Sequence, residues 1–274
     1  MFEMSIDPVL FRVGHLMIRW YGLIVMTALI VGGRVALREA RRRGVSDDDF
    51  TDGLVWVVLA GLIGARLFHV VDHWQDVFAA DPLRVLYVWE GGLAIWGAVV
   101  GGLLALAVFA WRRGLDLGRL ADIAAPGLVL GQGLGRFACI ITGDAMGKPT
   151  SGPFGVAYTR PDALVPELGV YYTPMPAYEI AGNLVIFAIL WRLRRRDWPN
   201  GLLFLVYLSL YSLERFFLAF VSSYRIVAFG LTQSQIVALL ALAVAVPLLI
   251  WIYITAVRGH GSAPGEGSRP VLHQ

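Results

Sequence analysis

Seven apolar runs, with arginine clusters closing every second one, constrain this chain more than any other feature. They cover about 19–37, 50–71, 91–111, 120–141, 177–193, 201–221 and 231–257. Each is near the ~20 residues that a helix needs to cross a bilayer core. A chain that is 57% hydrophobic and only 16% charged cannot hide so much apolar surface in one water-soluble core. The sequence therefore predicts an all-α integral membrane protein of seven transmembrane helices. Arginines gather after the first run (Arg38, Arg41, Arg42, Arg43), the third (Arg112, Arg113), the fifth (Arg192, Arg194, Arg195, Arg196) and the seventh (Arg258). Basic residues favour the cytoplasmic side, so the N-terminus is expected outside and the C-terminus inside.

Three segments follow from this division. Residues 1–18 are mildly amphipathic and read as an arm lying in the interface. They hold Glu3 and Asp7 and lack a small-residue cleavage site, unlike a removable signal peptide. Residues 19–258 form the membrane domain, in which the polar, Gly- and Pro-rich loop 142–176 makes a small extracytoplasmic head. Residues 259–274 read as a disordered cytoplasmic tail. Cys139 is the only cysteine, so no internal disulfide forms, and it reads as a packed residue rather than a nucleophile.

The chemistry-bearing residues collect toward the outer side. Arg136 stands among Leu134, Phe137, Ile140 and Ile141, and Asp144 follows where the apolar run stops. A cation at a bilayer centre costs roughly 2.5–3.5 kcal/mol on insertion scales, so an intramembrane arginine is a functional candidate by default. The alternative is a snorkelling side chain that only orients its helix. Glu179 lies at the outer start of the fifth run, Arg215 with Glu214 past the middle of the sixth, and Tyr21 near the outer start of the first. Tyr207, Tyr211 and Arg215 recur at four-residue spacing and so share one helical face. Tyr207 by itself reads as an aromatic belt residue. A guanidinium offers planar paired donors to phosphate, so a phospholipid headgroup is the anion that such a site suits. His69 and His73 lack a third ligand, and no metal or other cofactor is expected. No phosphate-cradling loop or extended basic stretch points to nucleotide or nucleic acid.

The chain resembles the prolipoprotein diacylglyceryl transferase family. The likeness runs through Ile18-Arg19-Trp20-Tyr21-Gly22, Gly64-Ala65-Arg66, Trp89-Glu90-Gly91-Gly92, Gly131-Gln132 to Gly135-Arg136, Gly143-Asp144, Pro176-Ala177-Tyr178-Glu179, and Tyr211 with Arg215. The resemblance implies an enzyme of the bacterial inner membrane. Such an enzyme moves the diacylglyceryl group of phosphatidylglycerol onto the lipobox cysteine thiol of a preprolipoprotein, forming a thioether and releasing glycerol 1-phosphate. It implies catalytic roles for Arg136, Arg215, Asp144 and Tyr21. It implies substrate contacts for Arg136, Arg215, Tyr211, Glu179, Thr142, Gly143, Trp96 and Arg66. The chain departs from the family pattern at Trp96, where a histidine is usual, at Cys139, Thr142 and Asp144, and at Thr173 and Ala177. Two alternatives remain at this level: a catalytically altered lipid-binding relative, and a small transporter.

Overall fold

The computed structural model describes residues 1–14, 16–88 and 91–260. Of the tail expected over 259–274, residues 259 and 260 still belong to the last helix, and the part from 261 onward lies, like the Trp89-Glu90 pair, outside the described residues. Among the described residues there are seven long helices: α1 Trp20–Arg42, α2 Asp47–Asp72, α3 Ile95–Arg113, α4 Leu117–Thr142, α5 Met175–Leu193, α6 Leu202–Leu218 and α7 Gln233–His260. Among the described residues, six of them, all but α6, are long and apolar enough to cross a membrane. The same described residues include six short strands: β1 Phe2–Met4, β2 Val9–Val13, β3 Leu16–Arg19, β4 Val156–Tyr158, β5 Ile226–Ala228 and β6 Leu231–Thr232. By packing, the chain divides into Val25–Gln132 and the remainder, Met1–Ile24 with Gly133–Gln274.

In the unit 25–132, α2 begins at Ser46, whose hydroxyl accepts from Asp49 N at 3.0 Å, and three aspartates fill its first turn. Carboxylates there complement the positive helix end. They also meet the arginines that close other helices. Arg41 pairs with Asp47 at 2.5 Å, and Arg113 pairs with Asp49 at 2.9 Å and Asp52 at 2.7 Å. Arg43 reaches the fully buried Asp122 on α4 at 3.2 Å. The ends of α1 and α3 thus lie beside the starts of α2 and α4. Glycine sets the helix spacing in this unit. A Cβ on Gly64 of α2 would run into the Gly97 carbonyl of α3 and stand 3.2 Å from Gly101 Cα. Only a residue without a side chain allows backbones so close, the usual device of membrane helices. Pro126 sits inside α4, whose start lies earlier, where Asp116 Oδ1 accepts from Arg119 N at 2.6 Å.

In the other unit the amphipathic arm is built of strands. β2 and β3 form an antiparallel hairpin, and β1 pairs in parallel with β4 from the loop before α5. That loop is a folded piece with its own core of Met146, Val156, Tyr158 and Tyr172. The Tyr158 hydroxyl donates to Ile140 O at 2.5 Å, tying the loop to the end of α4, and burial pushes the phenol pKa well above its ordinary value. The chain re-enters helix at α5 through Pro174 and Pro176, residues suited to a first turn. Buried Glu179, Asn183, Ile186 and Leu190 recur along α5 at helical spacing.

Candidate functional site

The site is built where α4, α5 and α6 bring ionised side chains together. Glu179 of α5 is 2% exposed and bridges two arginines. Its Oε2 meets Arg136 Nε from α4, and its Oε1 meets Arg215 Nη1 from α6. A carboxylate so deeply buried would be costly alone; paired on both oxygens it is compensated. Each guanidinium carries five N–H donors in a planar fork, so contacts with Glu179 and the neighbours named below still leave donors for another anion.

Further residues surround the bridge. Arg136 Nη1 points at Cys139 Sγ, 3.8 Å away and one turn along α4. The Tyr211 phenol is a hydrogen-bonding neighbour of Arg136, and the Tyr224 phenol of Arg215. Half-exposed Tyr21, at the start of α1, feels the charges of Asp144 and Arg136. Tyr207 and Tyr211 stack with ring centroids 5.9 Å apart. Tyr207 is buried, so it is a packing residue and not an interface belt residue, which corrects the sequence expectation. Asn183, one turn beyond Glu179, donates to its carbonyl at 2.8 Å.

The structure thus gathers Arg136, Glu179, Arg215, Tyr211, Tyr21 and Asp144 in one region. Thr142 and Gly143 shape the turn that leads to Asp144. Thr142 Oγ1 donates back to Ala138 O at 3.0 Å, and Gly143 takes φ 76° with Val165 beside it. Trp96 and Arg66 belong to the unit 25–132. Arg66 is buried and directs its guanidinium at the backbone of the segment after α2. It donates to Val85 O at 2.9 Å, Gly91 O at 2.6 Å and Arg84 O at 2.5 Å, among others. Its donors are engaged with carbonyls of its own chain, so it holds that segment in place. Gly91 and Gly92 have φ of 89° and 74°, and a Cβ on Gly92 would meet Arg66 Nη1 at 2.9 Å. Trp96 is 40% exposed on α3. The His69 and His73 rings lie with centroids 4.3 Å apart, tilted by 32°.

Sequence reasoning missed Tyr224 and Asn183. Asn183 carried a readable signal, a polar residue one turn after Glu179 in an otherwise apolar run. Tyr224 carried none, because it reaches Arg215 from the connection beyond α6.

Long apolar helices that keep arginines and a carboxylate in contact at their buried ends define a multi-pass integral membrane protein with a polar centre. The chain matches the family model described as prolipoprotein diacylglyceryl transferase over residues 8–251, and it belongs to that family. The phosphatidylglycerol–prolipoprotein diacylglyceryl transferase of Nostoc sp. is 34% identical over 258 residues, covering 91% of this chain and 90% of the relative. That of Halalkalibacterium halodurans is 35% identical over 252 residues, 90% of this chain and 86% of the relative. That of Dehalococcoides mccartyi is 34% identical over 252 residues, with coverages of 92% and 95%.

Proposed function

We propose that this chain transfers the diacylglyceryl group of phosphatidylglycerol to the lipobox cysteine thiol of a preprolipoprotein, in a bacterial cytoplasmic membrane. The named relatives act on phosphatidylglycerol and prolipoprotein, and they align with nine-tenths of the chain. The single observation within the molecule that carries the reading is the Arg136–Glu179–Arg215 bridge. In the reaction the substrate sulfur attacks the glyceryl carbon, the carbon–oxygen bond to phosphate breaks, and glycerol 1-phosphate departs with the bonding electrons. Negative charge grows on the phosphate oxygens as that bond breaks. Two preorganised guanidiniums placed beside that phosphate bind the headgroup and stabilise the developing charge. Glu179 holds the two forks at a fixed separation and keeps them from repelling each other. Tyr211 and Tyr224 orient them from α6 and the connection after it.

Topology fits this chemistry. With the basic ends of α1, α3, α5 and α7 in the cytoplasm, the bridge and the folded loop before α5 fall on the outer side. Lipobox cysteines of exported precursors would arrive there. This arrangement needs α6 to be a seventh crossing. Its 17 helical residues span about 25 Å at 1.5 Å per residue. The turn through Val221, with Val221 N on Leu218 O at 3.1 Å, adds apolar length at its end. Asp144 and Tyr21 stand at the rim of the site and orient the incoming groups. Trp96 faces acyl chains, and Arg66 acts indirectly by fixing the segment before α3.

The test is direct. Purified protein in phosphatidylglycerol vesicles is incubated with a lipobox peptide. Mass spectrometry should find a peptide heavier by one diacylglyceryl group, attached at cysteine. A folded protein that yields no such adduct overturns the assignment.

A further inference from the structure

The bridge supplies positive charge but no free base. Both oxygens of Glu179 face guanidiniums, which hold its electron pairs. An unperturbed thiol has a pKa near 8.5, so most substrate cysteine arrives protonated at neutral pH. Trp96 cannot help, since an indole N–H donates and does not accept.

A second carboxylate lies alongside. Glu214 immediately precedes Arg215 on α6 and is one turn after Tyr211. Both of its carboxylate oxygens are buried, and neither has a hydrogen-bond partner among the described residues. Such a group is expensive in an apolar setting unless it binds a proton or a donor. The fold makes room for it. A Cβ on Gly182 of α5 would overlap Glu214 Oε1 and stand 3.2 Å from its Cγ. Gly182 lies one turn after Glu179, on the same side of α5, so the carboxylate rests beside the bridge. The Arg136 guanidinium on α4 lies within electrostatic range of it. On its own helix it feels Tyr211. From α5 the charged neighbour is Glu179, one turn from Gly182. α7 packs on α6 and brings no Asp, Glu, Lys or Arg over 233–256.

We propose that Glu214, lodged against Gly182 beside the Arg136–Glu179–Arg215 bridge, is the proton acceptor for the substrate thiol. This rests on the transferase reading above. Rotation of the glutamate side chain carries its carboxylate from the Gly182 notch to the reacting sulfur. The carboxylate takes the S–H proton, the sulfur lone pair forms the C–S bond, and the C–O bond to phosphate breaks with its electrons going to glycerol phosphate. The acid form of Glu214 then returns its proton to the departing phosphate or to water. Asp144, at the rim of the site, keeps an orienting role.

The test follows transfer by the full chain in phosphatidylglycerol vesicles, over a range of pH. Wild-type rates should fall as pH drops below the base's pKa. Glu214→Gln should lose about 10²-fold or more, as expected for removal of a general base. Its remaining rate should climb about tenfold per pH unit up to the thiol pKa near 8.5. Its KM for phosphatidylglycerol should stay within about twofold, because the guanidiniums remain. Glu214→Asp should keep a fraction of the rate and the acid limb, and decides the matter if the glutamine variant does not fold. Added formate should raise the rate of Glu214→Ala and not that of Arg136→Ala. Asp144→Asn should retain the acid limb. A Glu214→Gln enzyme with wild-type rate and pH profile overturns the proposal. So does a loss that tracks a raised KM and resists formate, which marks a structural glutamate. A wild-type protein that makes no adduct at any pH overturns the transferase reading itself, and the base with it.

Discussion

Arg136 and Arg215 stand on different helices and meet on one carboxylate, so each serves the other's placement as well as its own contact. Removing a preorganised donor aimed at developing charge typically costs about 10²–10³ in rate. Arg136→Ala and Arg215→Ala should each lose at least that much transfer, while membrane insertion, followed by detergent-extracted yield and thermal melting, is kept. Arg136→Lys should recover only part, since lysine keeps the charge but not the planar fork. If both alanine variants transfer lipid at the wild-type rate, the arginines are structural. Trp96→Phe should keep most activity in the same assay, because a half-exposed ring on α3 contributes packing rather than proton chemistry. A loss as large as that of an arginine variant would give Trp96 a direct part. The two arginines were legible in the sequence because a guanidinium in an apolar run needs a reason to be there. Their shared partner was legible only as a candidate, since Glu179 precedes Arg215 by several turns of intervening helix and loop.

At the scale of elements, the helices pack through glycine. Gly64 and Gly97 face one another's backbone, and Gly101 closes on Ala60 in the same seam. Gly64→Val should push α2 and α3 apart and destabilise the protein by about 1–3 kcal/mol, the usual range for overpacking. Thermal melting in detergent should show a clear drop. Gly102→Ala is the contrasting case, because its Cβ would sit 3.5 Å from a Val57 methyl, an ordinary contact. It should melt at or slightly above the wild-type temperature, as alanine outdoes glycine inside a helix. The glycines are visible in the sequence, yet which of them touches a neighbour depends on helix rotation and crossing. The strands show the same limit more sharply. Residues 1–18 carry an amphipathic pattern that suits an interfacial arm, but β1 finds its partner in β4, far along the chain. Pairing over that distance leaves no local mark.

At the scale of the whole molecule, the alternation of arginine clusters with apolar runs carries the topology. Arginine clusters close α1, α3 and α5, the single Arg258 lies near the end of α7, and this alternation holds only if α6 crosses the membrane as well. Reporter fusions at Gly152, in the folded loop, and at Gly259, at the end of α7, should report opposite sides. Reports from the same side would mean that α6 does not span and that the chain crosses six times. The outcome also decides whether the arginine bridge faces the compartment into which prolipoproteins are exported.

The sequence by itself determined that the chain is a membrane protein, where its long helices run to within a few residues, and which family it resembles. Those properties depend on local apolar length, on end charges and on short motifs, all of which are written along the chain. Tertiary structure alone decided that Glu179 lies between Arg136 and Arg215, that Arg66 spends its donors on the backbone near Gly91, and that Gly182 leaves room for Glu214. Each of these needs two or three helices at a particular rotation and depth. That geometry is set by close packing of many side chains at once, and no single stretch of sequence encodes it.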